Sequence, residues 1–168
     1  KHAFRTVLGE EVYDRRARAW MGRPLLPAVL GESPEHGHAL DEEYRRWNLA
    51  NTSRLIEQYP GVPGLLSALA DAGVVTAVAT SKRRLTARLA LEGVGLDTAI
   101  DVVAALEDTS EHKPDPAPLL HAAKVLGVDP AECAYVGDAV VDLLAAKAAG
   151  MAAVAVSWGA GERADLIA

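Results

Sequence analysis

Residues 133–142 have the sequence CAYVGDAVVD, and this stretch decides the fold that we predict for the chain. Residues 133–136 are mostly apolar and predict a short buried strand. Gly137 permits a tight turn after the strand, and Asp138 lies at or near the N-cap of the helix that follows. Asp142 comes four residues later, one helical turn on. Both carboxylates can therefore face one spot beyond the end of a strand.

Two interpretations of this pair of aspartates remain open. Carboxylate oxygens suit Mg²⁺, which binds one or two carboxylates together with water and phosphate oxygens. Alternatively, the pair is structural, because an aspartate at the N-cap and an acidic residue in the first turn both stabilise a helix start. The motif alone does not decide between them.

The same alternation of strand and helix extends outward from this stretch over most of the chain. From Pro60 onward, short valine-rich or apolar runs alternate with helical segments, several of which end at glycine. The predicted strands are residues 74–79, 100–104, 133–136 and 152–156, and the predicted helices are 62–72, 82–92, 116–126, 139–149 and a short one within 161–168. This order predicts an α/β fold with a parallel sheet that is covered on both faces.

Residues 1–59 have a different pattern. Apolar side chains recur there at helical spacing, for example at Leu40, Tyr44 and Trp47, and prolines and glycines divide the segment into short helices. We therefore expect a small helical bundle in front of the α/β part.

Polar residues that follow the other predicted strands define a candidate site. Ligands of open parallel sheets bind outside the carboxyl ends of the strands. Thr80 and Ser81 follow the first strand and could donate hydrogen bonds to phosphate, although they could equally cap the next helix. Lys113 follows the second strand and could bring a positive charge, although a solvated loop lysine is the simpler alternative. Arg84 is expected on a solvated helix face.

Composition narrows the class of partner. Lys and Arg number 17 against 23 Asp and Glu, and the net charge of −6 argues against nucleic acid and anionic membranes as partners. A single cysteine, Cys133, cannot form an internal disulfide, so we expect a cytoplasmic protein. No apolar run approaches the roughly 20 residues of a membrane helix.

Taken together, the three clusters resemble a known family. Thr80-Ser81-Lys82, Lys113-Pro114 and the Gly137-Asp138 motif with Asp142 resemble, in order and spacing, motifs two to four of the haloacid-dehalogenase-like (HAD) phosphatases. The flanking Tyr59-Pro60-Gly61-Val62 and Ser157-Trp158-Gly159 resemble its phosphoglycolate-phosphatase-like branch. The resemblance covers residues 59–160 well and the first part more loosely.

This resemblance implies a Rossmann-like core over residues 60–168 and a helical cap over residues 1–59. It implies a phosphatase that uses Mg²⁺, held by Asp138, to hydrolyse a small phosphorylated metabolite similar to phosphoglycolate or a sugar phosphate. Thr80, Lys113 and Asp142 would then be catalytic. Ser81 and, from the cap, Arg23 would bind substrate. A monomer or a homodimer is expected.

The chain departs from the family at its first motif, an Asp-x-Asp turn after the first strand. That motif supplies the nucleophile that forms an aspartyl-phosphate, and none of the aspartates here begins such a motif. We expect the intact protein to have about twenty more N-terminal residues, one strand and its turn, without which the chain is predicted to be inactive.

Three other functions are weighed against a phosphatase. A phosphomutase could use the same scaffold, and the cap would decide between the two. A catalytically inactive module would bind phosphate or Mg²⁺ without turnover. A dehalogenase is disfavoured because it has no use for a metal-binding pair of aspartates.

Overall fold

The computed structural model describes residues 1–10, 25–159 and 161–167. The helices of this part are α1 (His2–Leu8), α2 (Leu25–Glu32), α3 (Gly37–Leu55), α4 (Val62–Asp71), α5 (Arg84–Gly93), α6 (Ala117–Leu126), α7 (Val140–Ala148) and α8 (Arg163–Leu166). The strands are β1 (Ala77–Ala79), β2 (Asp101–Ala104), β3 (Ala134–Gly137) and β4 (Ala152–Ala155). This mixture of helices and parallel strands confirms the predicted α/β class. No helix within the described ranges is long and apolar enough to cross a membrane.

Helices α1, α2 and α3 pack around a small core of their own. Phe4 of α1, Val29 of α2 and Leu40 of α3 are each at most 4% exposed and form one apolar cluster with Ala3. Helix α3 also packs on α5 of the α/β part. At that crossing a Cβ atom on Gly93 would lie 3.0 Å from the Cα of Ser53, so glycine permits the close approach.

The strands of the described residues form two separate parallel pairs. β1 pairs with β2, and β3 pairs with β4. The predicted single sheet is therefore divided between β1 and β3. Apolar residues of β3 and of the segment before β1 are exposed: Val75 just before β1 is 65% exposed, and Val136 on β3 is 58% exposed.

β1 is shorter than predicted. The sequence predicted a strand over residues 74–79, whereas the observed strand begins at Ala77. Its partner β2 begins only at Asp101, which pairs with Ala77, so residues 74–76 have no strand of β2 beside them. The amide of Val74 instead donates to the carbonyl of Leu69 and closes the end of α4.

One buried apolar cluster of the α/β part lies between α6 and α7. Leu119 on α6 is 1% exposed and packs against Ala145, Ala146 and Ala149, which belong to α7 and the residue after it. The leucine side chain fills the space beside these small alanine side chains. This contact holds α7, which carries Asp142, against the segment that follows Lys113.

Replacing Leu119 by alanine should destabilise the fold by about 2–5 kcal/mol, because it removes a buried leucine and leaves a cavity. Leu120→Ala is the matched control, because the side chain of Leu120, the next residue, is 40% exposed and should contribute much less to stability. Urea unfolding followed by circular dichroism measures both variants. Equal losses for the two would contradict this assignment of the core.

Candidate active site

The candidate residues lie at the carboxyl ends of the strands. Thr80 directly follows β1 and Asp138 directly follows β3, while Lys113 lies in the loop between β2 and α6. Asp142 is in the first turn of α7. Each strand pair is parallel, and the contacts of Tyr135 with Ala79 and of Lys113 with Asp142 bring the ends of the two pairs together.

Lys113 and Asp142 form a buried ion pair. The Nζ of Lys113 lies 2.6 Å from Oδ1 of Asp142, and the side chains are 7% and 6% exposed. The same ammonium donates a hydrogen bond of 2.9 Å to the hydroxyl of Tyr135 on β3. That hydroxyl in turn donates to the carbonyl oxygen of Ala79, also at 2.9 Å. The alternative of a solvated loop lysine is therefore wrong for Lys113.

The electrostatics of this group keep the lysine charged. Burial by itself lowers the pKa of Lys113, but the interactions with Tyr135 and Asp142 outweigh it and raise the pKa above the usual lysine value. The pKa of Tyr135 is raised above its usual value, chiefly by burial. The charge of Lys113 lowers the pKa of Tyr135, and the negative charges of Asp142 and Asp138 raise it. Near neutral pH the site therefore contains an ammonium and a neutral phenol.

Asp142 has the structural role at the helix start that was one of the two alternatives, and it also binds Lys113. Its Oδ2 accepts a hydrogen bond of 3.1 Å from the amide of Ala139, which caps the start of α7. Its Oδ1 holds Lys113. Both oxygens are thus engaged, so Asp142 supports both the lysine and the start of α7.

Asp138 is held in a close-fitting turn. Its carbonyl oxygen accepts a hydrogen bond of 2.8 Å from the amide of Gly161. A Cβ atom on Gly159 would overlap the Asp138 carboxylate, so only glycine leaves room for that side chain in its observed position. The segment after β4 therefore packs directly on the candidate metal ligand.

The side chains around Asp138 suit a magnesium ion bound by few protein ligands better than a metal ion bound by protein ligands alone. No group of three or more His, Cys, Asp or Glu side chains within the described ranges could enclose a metal. Mg²⁺ usually keeps several waters and takes one or two carboxylates together with substrate phosphate oxygens. A single half-buried carboxylate at the strand end is compatible with that mode.

Thr80 and Ser81 lie beside the lysine group, because Ala79, which accepts from Tyr135, directly precedes Thr80. The amide of Thr80 donates to Ala104 on β2 at 2.9 Å, and its Oγ1 accepts from the amide of Lys82 at 3.1 Å. The hydroxyl hydrogen of Thr80 can still be donated to a ligand. Both side chains are half-buried.

Arg84 is not on a solvated helix face, so that prediction is wrong. Its Nη2 pairs with Oδ2 of Asp108 at 2.5 Å, and its Nη1 donates to the carbonyl of Val102. The backbone amide of Arg84 donates to Glu107 at 3.1 Å. A hydrogen bond from Ala105 to the Asp108 carboxylate and the neighbouring Arg84 hold the pKa of Asp108 below its usual value. Arg84 thereby ties the loop after β1 to the loop after β2.

Sequence reasoning did not single out Tyr135 or Gly159 as site residues. Tyr135 could have been found, because a tyrosine in an apolar strand needs a partner for its hydroxyl. Gly159 gave no such signal, since its role depends on a contact with a residue 21 positions earlier. Arg23, proposed from the cap, lies outside the described residues.

Arg84→Ala should lower the free energy of unfolding by about 1–2 kcal/mol, because it leaves part-buried carboxylate and carbonyl acceptors without their donor. Arg88→Ala on the same helix is the control, since its pair with Asp101 spans 3.6 Å and both side chains are more than half exposed. Thermal unfolding compares the two. A loss for Arg88→Ala as large as for Arg84→Ala would show that Arg84 is an ordinary surface residue.

Known proteins share both the sequence and the fold of this chain. Residues 2–156 match the family described as haloacid dehalogenase-like hydrolase. Pyrophosphatase PpaX of Halalkalibacterium halodurans is 34% identical over 157 residues, covering 94% of this chain and 73% of that protein. Phosphoglycolate phosphatase of Xylella fastidiosa strain 9a5c is 43% identical over 101 residues, covering 60% of this chain and 44% of that protein.

A solved structure agrees with these relatives. The crystal structure of a hydrolase from Pseudomonas syringae superimposes with a TM-score of 0.85 at 26% identity, and the match covers 98% of this chain and 78% of that one. The family model, the relatives and the solved structure agree with one another. The chain therefore belongs to the haloacid dehalogenase-like hydrolase family, in the branch that resembles phosphoglycolate phosphatase.

Proposed function

We propose that the protein is a magnesium-dependent phosphatase that hydrolyses a small phosphorylated metabolite, similar to phosphoglycolate or a sugar phosphate. The observation that carries this proposal is the buried, charged Lys113, which Asp142 and Tyr135 hold beside the end of β1. A buried ammonium at the ligand-binding edge of a parallel sheet suits a phosphate dianion. Pyrophosphatase PpaX and phosphoglycolate phosphatase, two relatives by sequence, carry names of phosphate-cleaving enzymes.

Each polar residue of the site has a distinct part in this proposal. Lys113 and the hydroxyl of Thr80 bind the oxygens of the transferring phosphoryl group, and Ser81 adds a further donor. Asp138 holds Mg²⁺, and the bound ion would neutralise the charge of the phosphate. Asp142 keeps the ammonium in place. Residues 1–59 form a helical cap that excludes water from the bound substrate, and Arg23 of the cap binds the remainder of the substrate.

The nucleophile, in this proposal, lies on a further strand between β1 and β3. The two strand pairs are separate there, and apolar residues on both sides, such as Val75 and Val136, are more than half exposed. A strand inserted at this place would cover that surface and pair with both free edges. An aspartate at its end would attack phosphorus and release the alcohol or phosphate leaving group. Water would then hydrolyse the aspartyl-phosphate.

Whether the further strand belongs to the same polypeptide can be tested by measuring the intact mass of the native protein. If it belongs to the same polypeptide, the protein isolated from its native source should have an intact mass above the 17.7 kDa of the printed sequence. Sequencing of the N-terminus by tandem mass spectrometry should then find an Asp-x-Asp motif ahead of Lys1. A native mass equal to 17.7 kDa would contradict a strand supplied in cis.

Asp138→Ala in the full-length protein should abolish hydrolysis of p-nitrophenyl phosphate in the presence of Mg²⁺, because it removes the carboxylate that this proposal assigns to the metal. We expect a loss in kcat of about a thousandfold or more, as for removal of a principal electrostatic group in a transition state. Asp97→Ala, which removes an exposed carboxylate between α5 and β2, is the control and should leave turnover unchanged.

The same assay distinguishes the competing functions. Turnover that survives Asp138→Ala contradicts the assigned metal ligand. Absence of turnover in the unsubstituted full-length protein, together with measurable phosphate binding, would favour an inactive binding module. Transfer of the phosphoryl group between positions of a sugar phosphate, without its release, would favour a phosphomutase. We further propose that the protein acts in the cytoplasm, on soluble substrates.

A further inference from the structure

The hydroxyl of Tyr135 joins three parts of the site directly. It accepts a hydrogen bond of 2.9 Å from Nζ of Lys113, in the loop after β2. It donates one of 2.9 Å to the carbonyl oxygen of Ala79, the last residue of β1. Tyr135 itself belongs to β3. One oxygen atom therefore connects β3, the end of β1 and the lysine.

The aromatic ring that carries this hydroxyl is firmly held. It packs against the buried cluster of Leu119, Ala145, Ala146 and Ala149 between α6 and α7. Tyr135 belongs to β3 and its hydroxyl bonds to Ala79 of β1, so the side chain spans the two strand pairs.

The other partners of the bridge are also fixed. The amide of Thr80 bonds to β2, so the end of β1 is held by Tyr135 on one side and by Ala104 on the other. Asp142 is anchored to the start of α7 through Ala139. Lys113 therefore has two rigid acceptors, and of its three N–H donors one remains to point toward a ligand.

We propose that Tyr135 is a positioning residue of the phosphate site, which sets the position of the Lys113 ammonium relative to Thr80 through its two hydrogen bonds. This inference rests on the function proposed above. Its physical basis is that a long lysine side chain has high rotational freedom, and a single carboxylate partner fixes its distance but not its direction. A second acceptor on a packed ring fixes the direction.

Tyr135→Phe keeps the ring and its packing and removes only the bridging oxygen. Tyr44→Phe, which removes the same atom from a tyrosine of α3, is the matched control. In the full-length protein with Mg²⁺, Tyr135→Phe should lower kcat/KM for p-nitrophenyl phosphate about tenfold to a hundredfold, the cost of a misplaced catalytic group. KM should rise as part of this change, because Lys113 also contacts the bound substrate. Tyr44→Phe should retain both constants.

A second measurement separates this inference from the proposed function. Isothermal titration with inorganic phosphate and Mg²⁺ should show binding about tenfold weaker in Tyr135→Phe, equivalent to one lost charge-assisted hydrogen bond. If the unsubstituted protein binds phosphate but does not turn over substrate, the proposed function fails and this measurement still decides the role of Tyr135.

Two results would overturn the positioning role. One is unchanged KM and phosphate affinity in Tyr135→Phe. The other is a fall in kcat that only follows a lower unfolding temperature at constant KM, because that pattern describes a purely structural tyrosine. If the unsubstituted protein binds no phosphate at all, both the positioning role and the phosphatase are wrong.

Discussion

The buried pair of Lys113 and Asp142 is the interaction on which the rest of the site depends. An ammonium that is 7% exposed is strongly destabilising unless its donors find acceptors, and here a carboxylate at 2.6 Å and a phenol at 2.9 Å supply them. Because the partners come from a loop, a helix start and a strand, satisfying one charge brings three elements together. The same arrangement keeps the lysine protonated for an anionic ligand.

Apolar residues of the α/β part are unequally buried. The contact between α6 and α7 is well packed, with Leu119 and Ala145 almost fully buried, whereas apolar residues of β3 and β4 remain exposed. The packed side carries the groups that orient Lys113. The exposed side borders the division between the strand pairs, where the proposed nucleophile strand would be accommodated. Rigid support for the lysine therefore occurs beside the division between the two strand pairs.

Local patterns predicted most of the elements but not all of their details. Helix ends at glycine, such as Gly127, and valine-rich runs led to strands and helices close to the observed ones, because both signals act within a few residues. The start of β1 was predicted three residues too early, since strand length depends on a partner elsewhere in the chain. Arg84 was assigned to solvent because its acceptors, Val102 and Asp108, lie 18 and 24 positions further along the chain.

The sequence alone determined the α/β class, the family and the set of polar residues that follow the strands, because these depend on local order and spacing. The tertiary structure decided which of those residues meet. It showed that Asp142 serves Lys113 and caps α7, that Tyr135 connects β3 to β1, and that Gly159 leaves room for Asp138. Such contacts join residues distant in the chain, and their geometry follows from how helices and strands pack, which no local pattern encodes.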